Sequence, residues 1–333
     1  MPHVTFIHGI ANKPAVERLH QIWLNALAFG DGIDFGANGV TSTMVYWADV
    51  MYDAPVPEGA SEESTGSAFP RTLSQESSDA SGTMPLTGDV DMSWLADASP
   101  EEQKLVNALA AEVAMKSGDP ALAVRAELSA ASNAIGAQLE RIPLPWFVKQ
   151  PLMRILLRDV HHYLFNASST PRPGQSYAVR DEIRRRMLEK LHEGAAQSGP
   201  HVVVSHSMGT VVAYDCIKRL PDAPRVDGFM TIGSPLGLDE VQDNLHPEGG
   251  NPGWSRANGF PSERVGGTWV NVYDRFDPVV GFDPQFANDF LRGGERVVDD
   301  VNEQNHGAWR HNISHYLRGP KLREKLAKLL ELE

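Results

Sequence analysis

Short apolar runs bounded by turn-forming residues alternate along this chain with longer stretches of helical periodicity. Runs of the first kind occur at Val4 to Ile7, Thr43 to Trp47, Val202 to Val204, Gly228 to Ile232, Thr268 to Tyr273 and Arg296 to Val301. Such runs predict strands covered on both faces. Helical spacing appears at Pro14 to Leu27, with Val16, Leu19, Ile22, Trp23 and Leu27 apolar, and at Tyr177 to His192, with Val179, Ile183, Met187 and Leu191 on one side. Arg184, Arg185 and Arg186 are expected mainly on the solvated side of that second helix. Helical spacing returns from Thr210 onward and in the leucine-rich stretch Ile313 to Leu332. Strands alternating with helices in this order predict a three-layer α/β fold around a mostly parallel sheet.

The alternation breaks between the second and third strands. From Pro55 to about Gly88 the chain is rich in Ser, Glu, Gly, Pro, Thr and Asp, a composition that cannot bury enough surface to offset its ordering entropy. Helix resumes at Ser99-Pro100-Glu101-Glu102, where the serine caps, the proline takes the first turn and Glu102 completes a capping box. Leu105, Leu109, Val113 and Leu122 to Leu139 continue helical patterns, and Ile142 to Val148 and Leu152 to Phe165 are apolar and aromatic. Residues 50–176 therefore read as an inserted loop and helical cap, with residues 1–49 and 177–333 as the α/β core.

Composition narrows the picture only a little. A chain of 333 residues with 41% hydrophobic and 22% charged residues is ordinary for a globular protein. The net charge of -13 argues against a nucleic-acid partner, since phosphate repulsion would have to be overcome. The lone cysteine, Cys216, cannot form an intramolecular disulfide, and a small buried hydrophobe is its expected role. No signal-peptide pattern or transmembrane-length apolar run is evident, so a cytoplasmic protein without an integral membrane segment is expected.

Chemistry concentrates at Ser205-His206-Ser207-Met208-Gly209, between an apolar strand and a helix. This is the layout of a nucleophile elbow, G-x-S-x-G, with Ser205 in place of the first glycine. A sharp turn pushes the Ser207 hydroxyl out of the sheet, and small residues two before and two after let strand and helix pass closely. The helix N-terminus points backbone N–H groups at a developing oxyanion. His206, beside the serine, is expected to point away in a structural role. A serine hydroxyl needs a histidine base and a carboxylate to orient it. Asp274, Asp277 and Asp283 follow a strand; His306, His311 and His315 follow the last one. Asp277 and His311 are preferred on their place in the α/β order, with Asp274 read as a brace of its loop and His315 as a packed residue. The histidines and carboxylates show no metal-ligand spacing.

Phe6 to Ile10, Ser205 to Gly209, Tyr273 to Val279 and His311 to Leu317 together resemble the α/β-hydrolase superfamily of serine hydrolases, in its lipase/esterase-like branch. The resemblance covers the core strands and does not extend to the cap. It implies a Ser207-Asp277-His311 triad, an acyl-enzyme and an oxyanion hole from the backbone N–H groups of Ile10, after the His8-Gly9 turn, and Met208. It implies hydrolysis of a small-molecule or lipid-like carboxylic ester without cofactor or metal, the cap shaping the acyl pocket. Thioester or amide cleavage and acyl transfer suit the same triad. A non-catalytic hydrolase-like binding module is the alternative from a different class.

Overall fold

The fold is given by a computed structural model, which describes residues 1–57, 98–106, 158–245, 256–277, 279–280, 284–305 and 310–332. Strand β1 (His3–Ile7) leads to helix α1 (Val16–Ala28), β2 (Thr41–Val45) and the single turn α2 (Ala48–Met51). A hairpin, β3 (Ser168–Arg172) and β4 (Gln175–Ala178), precedes α3 (Val179–Ala195). Then come β5 (His201–His206), α4 (Met208–Arg219), β6 (Gly228–Ile232), α5 (Asp239–Asp243), β7 (Trp269–Tyr273), β8 (Val298–Asn302), α6 (Ile313–Leu317) and α7 (Pro320–Leu329).

Six of these strands form one sheet in the order β2-β1-β5-β6-β7-β8, every neighbouring pair parallel. Side chains alternate between its faces, and each face has its own apolar core. Val4, Phe6, Val202, Val204, Met230, Val270 and Val272 pack with residues of α1, α6 and α7. Val203, Phe229 and Trp269 pack with α3 and α4 on the other side. Burial on both faces is why these strands are apolar runs rather than alternating patterns. The architecture is thus α/β, a parallel sheet flanked by helices.

The sheet order also fixes where a site can lie. From β1 the chain moves outward to β2; from β5, on the other side of β1, it moves outward to β6, β7 and β8. The direction reverses between β1 and β5, and the carboxyl ends of strands at such a reversal are the usual ligand position in open parallel sheets.

Local structure departs from the sequence pattern in several places. Strand β2 begins and ends two residues early, and Trp47 is the N-cap of α2. Tyr177 belongs to the hairpin, and α3 starts at Val179. Arg184 is buried rather than solvated, because its guanidinium pairs with Asp215 of α4 at 2.8 Å. The C-terminal helix is two helices broken at Arg318-Gly319, with Pro320 opening the second. Ser99 and Glu102 make the capping box: the Glu102 amide donates to Ser99 Oγ at 3.3 Å and the Ser99 amide to Glu102 Oε2 at 2.6 Å. Leu105, Val106, Val160, Tyr163 and Leu164 of the expected cap pack in the same core as α3 and α4. The expectations for residues 58–97 and 107–157, Ile142 to Val148 among them, lie outside the described residues. Among those described, no helix is long and apolar enough to cross a membrane.

Candidate active site

Ser207 is the single residue between β5 and α4, with φ 56° and ψ -132°. A non-glycine residue held in so sparsely populated a region costs about 1–3 kcal/mol, so the surroundings must hold it. The Ser207 amide donates to Ile232 O at 2.9 Å, and Ser207 O accepts from the Thr210 amide at 2.9 Å and its hydroxyl at 2.6 Å. Ser205, at the position usually held by glycine, is accommodated because its hydroxyl donates to Met230 O at 2.9 Å. The Ser207 hydroxyl is buried and makes no hydrogen bond among the described residues.

Two glycines bring the first loop against this serine. A Cβ on Gly209 would stand 2.5 Å from His8 O and 2.8 Å from Ile7 O, so only glycine lets α4 start this close to the end of β1. A Cβ on Gly9 would lie 2.4 Å from Ser207 Cβ. The Gly9 turn is locked from the far side. Trp47 donates its amide to His8 Nε2 and its indole N–H to His8 O, both at 3.0 Å, and the rings stack 4.8 Å apart. With Nε2 accepting, His8 Nδ1–H donates to Gly9 O at 2.8 Å. Burial first, then the Lys13 charge, push His8 well below its ordinary pKa, which keeps it neutral. A trans peptide sets its N–H opposite its C=O, so the bond on Gly9 O aims the Ile10 amide away from the His8 ring. The Met208 amide opens α4, where no intrahelical acceptor exists.

The loops after β7 and β8 supply the other two groups. His311 Nδ1 lies 2.8 Å from Asp277 Oδ2 and 3.0 Å from Oδ1, both residues buried. Asp277 also accepts the Val279 amide on Oδ1 and the Tyr316 hydroxyl on Oδ2, each at 2.8 Å. Burial alone would raise its pKa; His311, the Val279 amide and Tyr316 outweigh it and hold the carboxyl below the usual aspartate value. Gly233, at φ 54°, makes room for the pair: its Cβ would fall 2.9 Å from Asp277 Oδ2 and 3.2 Å from the His311 ring.

The competing candidates that are described have other surroundings. Asp274 braces its loop, accepting from the amides of Phe276 and Asn305 at 2.8 Å and from Arg310 at 3.1 Å. His315 is buried within α6, and the ring against Asp277 is that of His311. Asp283 and His306 lie outside the described residues. His206 does not point away from the site. Its ring lies 4.6 Å from that of His311, and its Nε2 donates to His311 O at 3.0 Å, because the alternation that turns Ser205 toward β6 turns His206 toward the loop after β8. Burial first, then His311 and Lys13, keep it neutral. Cys216 is a free, buried thiol whose pKa burial raises.

Sequence reasoning missed Tyr316, Trp47 and Gly233. Tyr316 lies within the His311 to Leu317 stretch, but no local pattern assigns a role to any of the three, and each acts through a contact set by the packing of distant segments. Among the described residues, no group of three or more His, Cys, Asp or Glu side chains could hold a metal ion. No protein-family model matches this chain, and no curated protein matches it.

Proposed function

We propose that this protein is a serine hydrolase of the α/β-hydrolase kind that cleaves carboxylic esters through an acyl-enzyme. The observation that carries the reading is a strained serine, Ser207 at φ 56°, next in sequence to His206, whose ring lies 4.6 Å from that of a histidine bound by an aspartate at 2.8 Å. A non-glycine residue in that conformation is a hypothesis of function, and its hydroxyl is left without a structural partner among the described residues.

In this mechanism Ser207 Oγ attacks the ester carbonyl while His311 takes its proton. Asp277 holds Nδ1–H, leaving Nε2 as the base, and stabilises the imidazolium that forms. The Ile10 and Met208 amides receive the oxyanion. The imidazolium gives its proton to the leaving alcohol, and water repeats the sequence to release the acid. The substrate is a small or lipid-like ester, with residues of the inserted segment excluding water.

A fluorophosphonate probe and a panel of p-nitrophenyl esters from acetate to palmitate test this. The wild type is expected to be labelled and to turn over at least one ester, and Ser207→Ala to lose both while Cys216→Ala keeps them. Labelling that survives Ser207→Ala would sink the proposal.

A further inference from the structure

Ala11, two residues beyond Gly9 on the turn that carries the Ile10 amide, stands at φ 70°. An alanine keeps such a conformation only where its surroundings over-determine it. The group that holds it comes from far along the chain: Asp159 Oδ2 accepts the Ala11 N–H at 2.9 Å across 148 residues of sequence. Asp159 is 1% exposed and is itself fixed. Arg158 donates to its Oδ1 from Nε at 3.1 Å and Nη2 at 2.8 Å, and the Tyr52 hydroxyl donates to Oδ2 at 3.2 Å. The Arg158 guanidinium lies 4.5 Å from the centre of the Tyr52 ring, closing the cluster. Burial first, then the Asp159 charge, raise the Tyr52 phenol well above its ordinary value, so it remains a donor.

The turn after β1 is therefore held at two successive peptides. His8 grips the 9–10 peptide through Gly9 O, and Asp159 grips the 10–11 peptide through the Ala11 N–H. We infer that Asp159 is a positioning residue for the oxyanion hole: its bond keeps Ala11 in the left-handed region and so keeps the Ile10 amide aimed at the reacting carbonyl. Residues 158–164 are helical and belong to the segment inserted between β2 and α3, so the insertion reaches the turn after β1 directly. It sets the geometry of one of the two oxyanion donors. Without the carboxylate, Ala11 relaxes toward negative φ and carries the neighbouring peptide with it. The chemical step suffers more than substrate binding, because an oxyanion donor acts in the transition state.

The inference rests on the hydrolase reading, and its test separates the two. Steady-state kinetics on p-nitrophenyl butyrate are measured for the wild type, Asp159→Ala, Ala11→Gly and the double variant, with circular dichroism to confirm folding. Removal of an oxyanion donor costs about 100- to 1000-fold. A displaced donor costs less, so Asp159→Ala is expected to lose about 30-fold in kcat with KM within about twofold. Glycine occupies positive φ without penalty, so Ala11→Gly alone stays near wild type and, added to Asp159→Ala, restores kcat at least about fivefold. A merely structural role for Asp159 would not be repaired by that change. Where Asp159→Ala does not fold, Asp159→Asn carries the same test, because Ala11 and Arg158 then compete for one oxygen. A wild type inert toward every ester and unlabelled by fluorophosphonate ends the hydrolase reading and this inference with it. An active wild type with kcat kept in the Asp159 variant, or lost beyond repair by Ala11→Gly, overturns the inference alone.

Discussion

Tyr316→Phe removes one oxygen from a side chain that is fully buried, and leaves the ring in place. That oxygen has two partners. It donates to Asp277 Oδ2 at 2.8 Å and accepts the Asp274 amide at 2.9 Å. The first is a hydrogen bond to a buried carboxylate, worth about 1.5–3 kcal/mol, and losing the second strands a buried N–H at a cost of about 1–3 kcal/mol. The two are coupled through one hydroxyl, so about 3 kcal/mol in all is expected, or about 6–12 °C in melting temperature on the scale of 150–250-residue domains. The pH dependence has a definite sign. Asp277 is held below its ordinary pKa in the folded state, so it contributes stability above the unfolded carboxylate value and loses it as pH falls through the folded one. Removing a donor raises the folded value and shrinks that contribution. The variant should therefore show a lower melting temperature at neutral pH, with less of a further fall on acidification below about pH 4. Differential scanning fluorimetry across pH reads both, and ester kinetics should show a drop in kcat as the carboxylate loosens its hold on His311. A variant that melts with the wild type at neutral pH would refute the assignment of Tyr316 as a support of Asp277.

Gly209→Ala places a methyl 2.5 Å from His8 O, a backbone atom that cannot turn aside. Separating α4 from β1 should cost at least about 100-fold in kcat/KM, measured on a protein that circular dichroism still shows folded; wild-type kinetics would contradict the close approach. Stability should also fall as pH drops from about 7.5 to about 5.5, before ordinary carboxylates titrate. His8 and His206 are held well below 6.5, and His162 and His201 at about 4, all chiefly by burial. The unfolded chain binds protons that these folded histidines refuse, so each such histidine costs about 1.4 kcal/mol of stability across that whole window. A melting temperature flat over that window would show that these histidines do protonate in the folded state.

The strands were legible because of where they sit. Val202 to Val204 and Gly228 to Ile232 are covered on both faces, so their local composition carries the signal, and the observed β6 matches its run residue for residue. The elbow was legible for a similar reason: Ser207 and Gly209 are two residues apart, and the turn they need is local. Helix ends were less so. Arg318-Gly319-Pro320 breaks a leucine pattern that periodicity carries straight through.

By itself, then, the order of apolar runs determined the α/β class, and short-range spacing determined the strand-serine-helix turn. Only the tertiary structure decided which acid meets which histidine. Asp274 and Asp277 are three residues apart on one loop, and their roles separate because Arg310 and the Asn305 amide face one while His311 and Tyr316 face the other. It likewise decided that Arg184 is buried, that His206 lies against His311, and that Asp159 reaches Ala11. The physical reason is the range of the forces. Backbone propensity and hydrophobic periodicity act within a few residues and are written in the local sequence. Hydrogen bonds and ion pairs between distant segments depend on a sheet order that brings the loops after several separate strands to one edge, and no local pattern records it.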